Sequence, residues 1–238
     1  AMAQRHEIPE LVARVLAGRG VAIDDAAHFL DPSLRRLMPD PSVLADMDAA
    51  AARIADAVEA GEHVAIFGDY DVDGATSSAL LARFLRHQGV ETRIYIPDRI
   101  FEGYGPNPDA IRTLVEEGAG LIVTVDCGST SHEALGVARD LGRLAVVLDH
   151  HQMGAELPPA LAVVNPNRQD DLSGLGHLAA VGVTFLSIVA VNRELRRRGW
   201  YGESRPEPDL LQWLDLVALG TVCDVVPLIG LNRAFVTK

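Results

Sequence analysis

The stretch His63-Val64-Ala65-Ile66-Phe67-Gly68-Asp69-Tyr70-Asp71-Val72-Asp73-Gly74 decides the fold. It opens on apolar residues without alternation, the pattern of a strand buried on both faces. Glycine and aspartates then break the run, and residues 75–87 resume at helical spacing. Further apolar runs stand at 92–96, 121–125, 144–148 and 161–164, with helical segments at 108–117 and 131–141 between them. Strands alternating with helices long enough for crossovers predict an α/β fold, an open, mainly parallel five-stranded sheet with helices on both faces. In such sheets ligands bind outside the carboxyl ends of the strands. The chemistry-bearing residues are therefore expected directly after the strands.

They stand there. Asp69, Asp71 and Asp73 follow the first run, Asp126-Cys127-Gly128 the third, and Asp149-His150-His151 the fourth. Downstream, a long helical stretch at 178–198 leads through a Gly/Pro-rich loop at 199–208 to a helix at 210–220, then to Thr221-Val222-Cys223-Asp224. Upstream, 7–17 and 25–30 read as short helices, Pro39 and Pro41 make a linker, and 45–60 is an alanine-rich helix closed by Gly61. This divides the chain into a short helical N-terminal segment, 1–44, and a catalytic domain, 45–238.

Of 238 residues 48% are hydrophobic and 23% charged, enough apolar material to exclude disorder. No stretch approaches the ~18 uncharged apolar residues of a spanning helix. No charged, apolar and small-residue leader precedes the domain, so no membrane is involved and the cytoplasm is the expected compartment. The net charge of −12 argues against a protein that grips long nucleic acid by electrostatics alone. Cys127 and Cys223 are too few for a disulfide framework and read as reduced, buried fillers.

The acidic loop alone is ambiguous: Asp69, Asp71 and Asp73 cannot all ionise close together without a cation, yet Asp73 could simply cap the helix behind it. A calcium hand would need a Glu where Leu80 stands. Asp126 and the Asp149-His150-His151 triplet at the same edge shift the balance. An oxygen-rich set with one or two imidazoles suits Mn²⁺ or Mg²⁺ better than Zn²⁺, with ligands enough for two ions. Residues 174–179 match G-x-G-x-x-A but lie too far from a strand to be a dinucleotide turn, and read as a helix entry. Arg193, Arg196, Arg197 and Arg198 with Trp200 and Tyr201 form either a basic stacking patch or an ordinary cationic helix end.

The set GDYDVDG, VDCG, DHH and LGTVCDVVPL resembles the DHH phosphoesterase superfamily, and within it the RecJ family of single-strand-specific 5′→3′ DNA exonucleases. Residues 29–32 with Asp46 and Asp48, the loop 96–99 with 102–105, and the stretch 219–233 carry the closer likeness. The resemblance implies a Rossmann-like DHH domain that hydrolyses phosphodiesters in DNA repair and recombination. It implies metal ligation by Asp71, Asp73, Asp126, His150 and Asp224, with Asp126 shared between two Mn²⁺ or Mg²⁺ ions. Asp69 would be a catalytic support, Asp149 would orient the histidines, His151 would face the scissile phosphate, and Arg99 would contact a substrate phosphate. Single-stranded DNA is the implied substrate, with a single-strand-binding protein and a helicase as implied partners. Phe67 departs from a histidine that many members carry. The family continues into a glycine-rich second domain, so this chain reads as the catalytic half of a longer enzyme. The alternatives are a phosphodiesterase for short oligonucleotides or cyclic dinucleotides, and a silent binding module of the replication apparatus.

Overall fold

The computed structural model describes residues 1–238. Its centre is a sheet of β1 (Val64–Gly68), β2 (Thr92–Tyr95), β3 (Leu121–Val125), β4 (Leu144–Leu148) and β5 (Ala162–Val164), all parallel in the order β2-β1-β3-β4-β5. Four short helices, α1 (Met2–His6), α2 (Glu10–Gly18), α3 (Ala26–Leu30) and α4 (Leu34–Leu37), precede α5 (Met47–Ala60). The crossovers are α6 (Val72–His87), α7 (Pro108–Glu116) and α8 (His132–Asp140); α9 (Ala180–Arg197), α10 (Leu214–Cys223) and α11 (Gly230–Thr237) complete the chain. No helix is long and apolar enough to cross a membrane.

The unbroken apolar runs bury both faces because successive side chains point to opposite sides of a strand. Val64, Ile66, Leu121, Val123, Val146 and Leu148 enter the larger core with α5, α6 and α9. Ala65, Phe67, Ile122 and Val147 enter a second core with residues of α7 and α8. Phe67 is fully buried there and stacks on Tyr95, ring centroids 5.2 Å apart. Chain order reverses between β1 and β3, which is where a doubly wound sheet opens a crevice.

The free edge of β5 is closed by side chains. Val163 N–H donates to Asp46 Oδ2 (3.1 Å), and Arg168 Nη1 donates to the Val163 carbonyl (2.6 Å) and to Asp46 Oδ2 (2.5 Å). The ion pair thus occupies the hydrogen-bonding groups that an edge strand otherwise offers to another chain. Arg168→Ala should cost about 1–3 kcal/mol by leaving the buried carbonyl unpaired, read as a lower urea midpoint; an unchanged midpoint would show the clamp to be idle.

Three expectations need correction. The helix after the acidic loop starts at Val72, and its N-cap is Asp71, which accepts from Gly74 N–H (2.9 Å), not Asp73. The stretch 210–220 divides into a 3-10 turn, Leu210–Trp213, capped by Asp209, and the helix α10. Cys223 is exposed, whereas Cys127 is buried; both are free.

The arginines at the end of α9 are ion-paired within the chain, as in an ordinary cationic helix end. Arg193 pairs with Asp40, Arg196 with Glu207, Arg197 with Glu194, and Arg198 with Asp56, Glu59 and Glu194. Trp200 Nε1 donates to Gln88 and the Tyr201 hydroxyl donates to Asn192. With the cations neutralised and the aromatic donors engaged, this corner ties α9 to its neighbours.

Candidate metal centre

Strand register builds the site. Gly68 pairs with Val125, Val125 with Leu148, and Leu148 with Val164. The next residues, Asp69, Asp126, Asp149 and Asn165, therefore form one row past the carboxyl edge. Their backbones extend the ladder by one rung: Asp69 N–H donates to the Val125 carbonyl, Asp126 N–H to Leu148, and Asp149 N–H to Val164. Asp126 leaves the strand in the left-handed region, φ 60°. Two residues on, Gly128 has φ 109°, and a Cβ there would meet Thr124 Oγ1 at 2.3 Å, so only glycine fits this turn.

Asp73 is anchored from a distant part of the chain. Its Oδ2 accepts from Ala180 N–H (2.6 Å) and its Oδ1 from Val181 N–H (2.9 Å), the first amides of α9. The helix entry at 174–179 thus meets an anion, and the anion is the protein's own carboxylate. Gly220 of α10 lies against the same carboxylate; a Cβ there would be 3.0 Å from Asp73 Oδ1 and 2.4 Å from Thr76 Oγ1. Gly220→Ala should therefore displace Asp73 and weaken Mn²⁺ binding about 10–100-fold, as loss of ligand support does. Titration calorimetry reads this directly, and unchanged affinity would mean that α6 and α10 simply part.

His150 stands among the carboxylates. Its Nδ1 donates to the Leu178 carbonyl (3.0 Å), which turns Nε2 toward the carboxylates. That nitrogen lies 3.3 Å from Asp126 Oδ1, 3.8 Å from Asp224 Oδ2 and 3.9 Å from Asp73 Oδ2. His150 Nε2, both Asp126 oxygens, Asp224 Oδ2 and Asp69 Oδ1 are buried without a hydrogen-bond partner. Carboxylates this close together need either protons or a cation between them. Ligand atoms of Asp73, His150 and Asp224, of Asp69, Asp71 and Asp126, and of Asp126, His150 and His151 each lie within 4.8 Å of one another. The donor set fits divalent cations of the Mn²⁺ or Mg²⁺ type, and Asp126 belongs to two of the three groups.

The electrostatics agree with a site built for cations. Burial, then Asp73 and Asp71, push the Asp126 carboxyl up to about 10. Burial also raises Asp73 to about 6, and raises Asp69 and Asp224. Asp149 behaves oppositely. Burial pushes it up, but the His151 ring, Ser129 N–H and the His151 amide outweigh that and hold it at about 2. Its Oδ1 accepts from His150 N–H (2.8 Å), His151 N–H (3.2 Å) and His151 Nδ1 (2.8 Å), and its Oδ2 from Ser129 N–H (3.1 Å). Asp149 thereby sets the course of both histidines, and hydrogen bonding to it raises the His151 pKa.

Asp69, Asp71, Asp73, Asp126, His150 and Asp224 come together, Asp149 lies beneath them, and His151 takes the rim. The His151 side chain is 44% exposed against 12% for His150. Arg99 stays outside the cluster, its guanidinium 4.8 Å over the Tyr70 ring. Position 67 contributes no ligand, because Phe67 points into the second core.

Sequence reasoning assigned no role to Tyr104, Asn165 or Asn167. The Tyr104 hydroxyl donates to the Asp126 carbonyl (3.3 Å) and lies 3.1 Å from His151 Nδ1. Asn165 Nδ2 donates to the His151 carbonyl (2.9 Å) and Ser129 Oγ (2.8 Å), and Asn167 Nδ2 to the His150 carbonyl (2.5 Å). The signals in the sequence were Asn165-Pro166-Asn167 directly after the last strand, and, for Tyr104, its place in the stretch 102–105 that carries the family likeness.

Residues 63–221 match the model of the DHH family, N-terminal domain. The single-stranded-DNA-specific exonuclease RecJ of Escherichia coli (strain K12) is 41% identical over 229 residues, 95% of this chain and 39% of that protein. RecJ of Bacillus subtilis (strain 168) is 37% identical over 237 residues, 100% of this chain and 28% of that protein. The crystal structure of RecJ in complex with Mn²⁺ from Thermus thermophilus superposes with a TM-score of 0.73 at 33% identity, covering 94% of this chain and 30% of that one. The chain thus spans well under half the length of these relatives. The matched span runs from the start of β1 into α10 and takes in the aspartate row and the histidine pair, and by that match the chain belongs to the DHH family.

Proposed function

We propose that this chain is the catalytic domain of a metal-dependent phosphodiesterase that removes nucleotides from the 5′ end of single-stranded DNA. The observation that carries the reading is the cluster of buried, unpaired acceptors around His150 Nε2 and Asp126. Its likeness to exonucleases of single-stranded DNA supplies the substrate class. We further propose residues 1–44 as a helical N-terminal segment and 45–238 as the catalytic domain. From the family resemblance alone, a single-strand-binding protein and a helicase are the proposed partners, and the cytoplasm the proposed compartment.

Asp71, Asp73, Asp126, His150 and Asp224 would hold two divalent ions, with Asp126 common to both. Such ions supply Lewis acidity at a phosphoryl oxygen and lower the pKa of an attacking water. The chain's own residues do the rest. Asp69 adds a buried carboxylate oxygen beside Asp71. Asp149 fixes the His151 ring by taking its Nδ1–H, and in its protonated form the ring presents an Nε2–H to a substrate phosphate. Arg99 offers a planar fork for another phosphate oxygen, held in place by the face of Tyr70.

A length series of 5′-phosphorylated single strands, with a cyclic dinucleotide as competitor, tests the reading under Mn²⁺. Release of mononucleotides from the 5′ end is expected. Turnover of the cyclic dinucleotide alone would place the chain with the small-substrate phosphodiesterases, and no turnover of either would make it a silent module.

A further inference from the structure

Ile100 and Phe101, adjacent on the loop between β2 and α7, are 84% and 87% exposed. Leu172 and Val225 are as exposed, but neither has a chain neighbour exposed to that degree. The loop that carries the pair is tightly built. Asp98 Oδ1 accepts from Ile100 N–H (2.8 Å) and Phe101 N–H (3.1 Å), and the Asp98 carbonyl accepts from Glu102 N–H (2.8 Å). Glu102 turns back to accept from Asp98 N–H (2.6 Å) and from the Tyr95 hydroxyl (2.5 Å), which ties the turn to the end of β2. A turn so closed holds two large apolar side chains in water, at a standing cost in free energy.

The flanking residues lead from this turn into the metal centre. Arg99 lies over Tyr70, Tyr70 meets Tyr104 edge-on at 6.5 Å, and Tyr104 meets His151 at 5.5 Å. Arg99 and Phe101 are two residues apart, so at most ~7 Å of chain separates them. With two side chains added to that span, the nucleotide of a phosphate at Arg99, or the next one, can reach the Phe101 ring. A patch two side chains wide is far smaller than the ~800 Å² that each partner of a stable protein interface contributes. It matches one base, whose π-face stacks on an aromatic ring whatever the sequence.

We propose that Phe101, backed by Ile100, is a stacking platform for one unpaired nucleobase of the strand whose phosphate Arg99 contacts, an assignment that rests on the reading under Proposed function. Inside a duplex both faces of a base are covered by its neighbours, so beyond the terminal pair the platform accepts only unpaired bases. It is a source of single-strand preference that needs no base-specific hydrogen bond.

The test uses the whole 238-residue chain with Mn²⁺ and 5′-phosphorylated single strands, one complete and others with an abasic site at each of the first few nucleotides. Wild-type kcat/KM should fall about tenfold, through KM, when the abasic site takes the stacked position. In Phe101→Ala the complete strand should be processed no better than the abasic one, and Phe101→Trp should restore the difference. Both variants should melt with the wild type, because the side chain is exposed. An abasic penalty of the same size in wild type and Phe101→Ala at every position overturns the platform and points to a protein partner for the patch. A wild type that cleaves none of the strands overturns the underlying reading as well, so the two failures are told apart.

Discussion

Saturating Mn²⁺ at about 100 times its Kd should stabilise the chain by ~2.7 kcal/mol and raise its melting midpoint by ~5–10 °C, and by more at pH 8 than at pH 5.5. The pH dependence follows from the raised carboxyls. Asp126, pushed up to about 10, and Asp73, at about 6, bind protons in the folded state that the unfolded chain releases near the ordinary carboxylate value. Stability of the metal-free protein therefore falls as pH climbs above ~4, through Asp73 until about 6 and through Asp126 toward about 10. Cations replace those protons and remove the slope. Asp149 governs the acid side: its stabilisation is present above ~4 and is lost as pH falls toward about 2. The measurement is a set of thermal melts in Mn²⁺ and in chelator across this range. A midpoint indifferent to both at pH 8 would remove the metal centre from the account.

Asp126→Asn and His151→Ala should separate metal binding from chemistry. Asp126 is buried, has neither oxygen hydrogen-bonded, and belongs to two ligand groups. Asp126→Asn should abolish the Mn²⁺ stabilisation and lower hydrolysis by at least ~10³-fold, as loss of a group that organises transition-state charge does. In chelator at pH 8 the same variant should melt at or above the wild type, because it removes a buried carboxyl that must take up a proton on folding at that pH. That opposition of stability and activity is the mark of a residue kept for function. His151, on the rim and bonded to Asp149, should behave differently. His151→Ala should keep the Mn²⁺ stabilisation and lose ~10²–10⁴-fold in turnover. Should His151→Ala abolish the stabilisation while His150→Ala spares it, the adjacent histidines hold each other's roles.

The central strands were legible because they are buried on both faces, unlike the edge strand β2. Leu121–Val125 and Leu144–Leu148 carry no alternation to misread, and the structure returns them with the same bounds. The helices closer to the site were harder. The acidic loop hides the start of α6, since Asp71 and Asp73 are both chemically able to cap it. The choice falls to Asp71 because the α9 amides claim Asp73, and no local pattern announces a partner more than a hundred residues away. The arginine run of α9 stayed open between two readings for a similar reason. Its counter-charges, Asp40, Asp56, Glu59 and Glu207, come from other parts of the chain.

By itself the sequence determined which residues follow the strands. A parallel sheet delivers whatever comes next in each strand to one edge, so Asp69, Asp126 and Asp149 could be placed together from strand ends alone. It also pointed to the chemical type of the centre, because carboxylates crowded with imidazole need protons or a cation between them wherever they meet. Tertiary structure decided the rest. Register set the aspartates in a single row, and the Leu178 carbonyl chose which nitrogen of His150 faces them. Docking of α10 against α6 and α9 brought in Asp224 and required Gly220 beside Asp73. These are contacts between segments distant in the chain. Their geometry depends on how whole helices pack, and packing is set by the summed shape of many side chains rather than by any short pattern of residues.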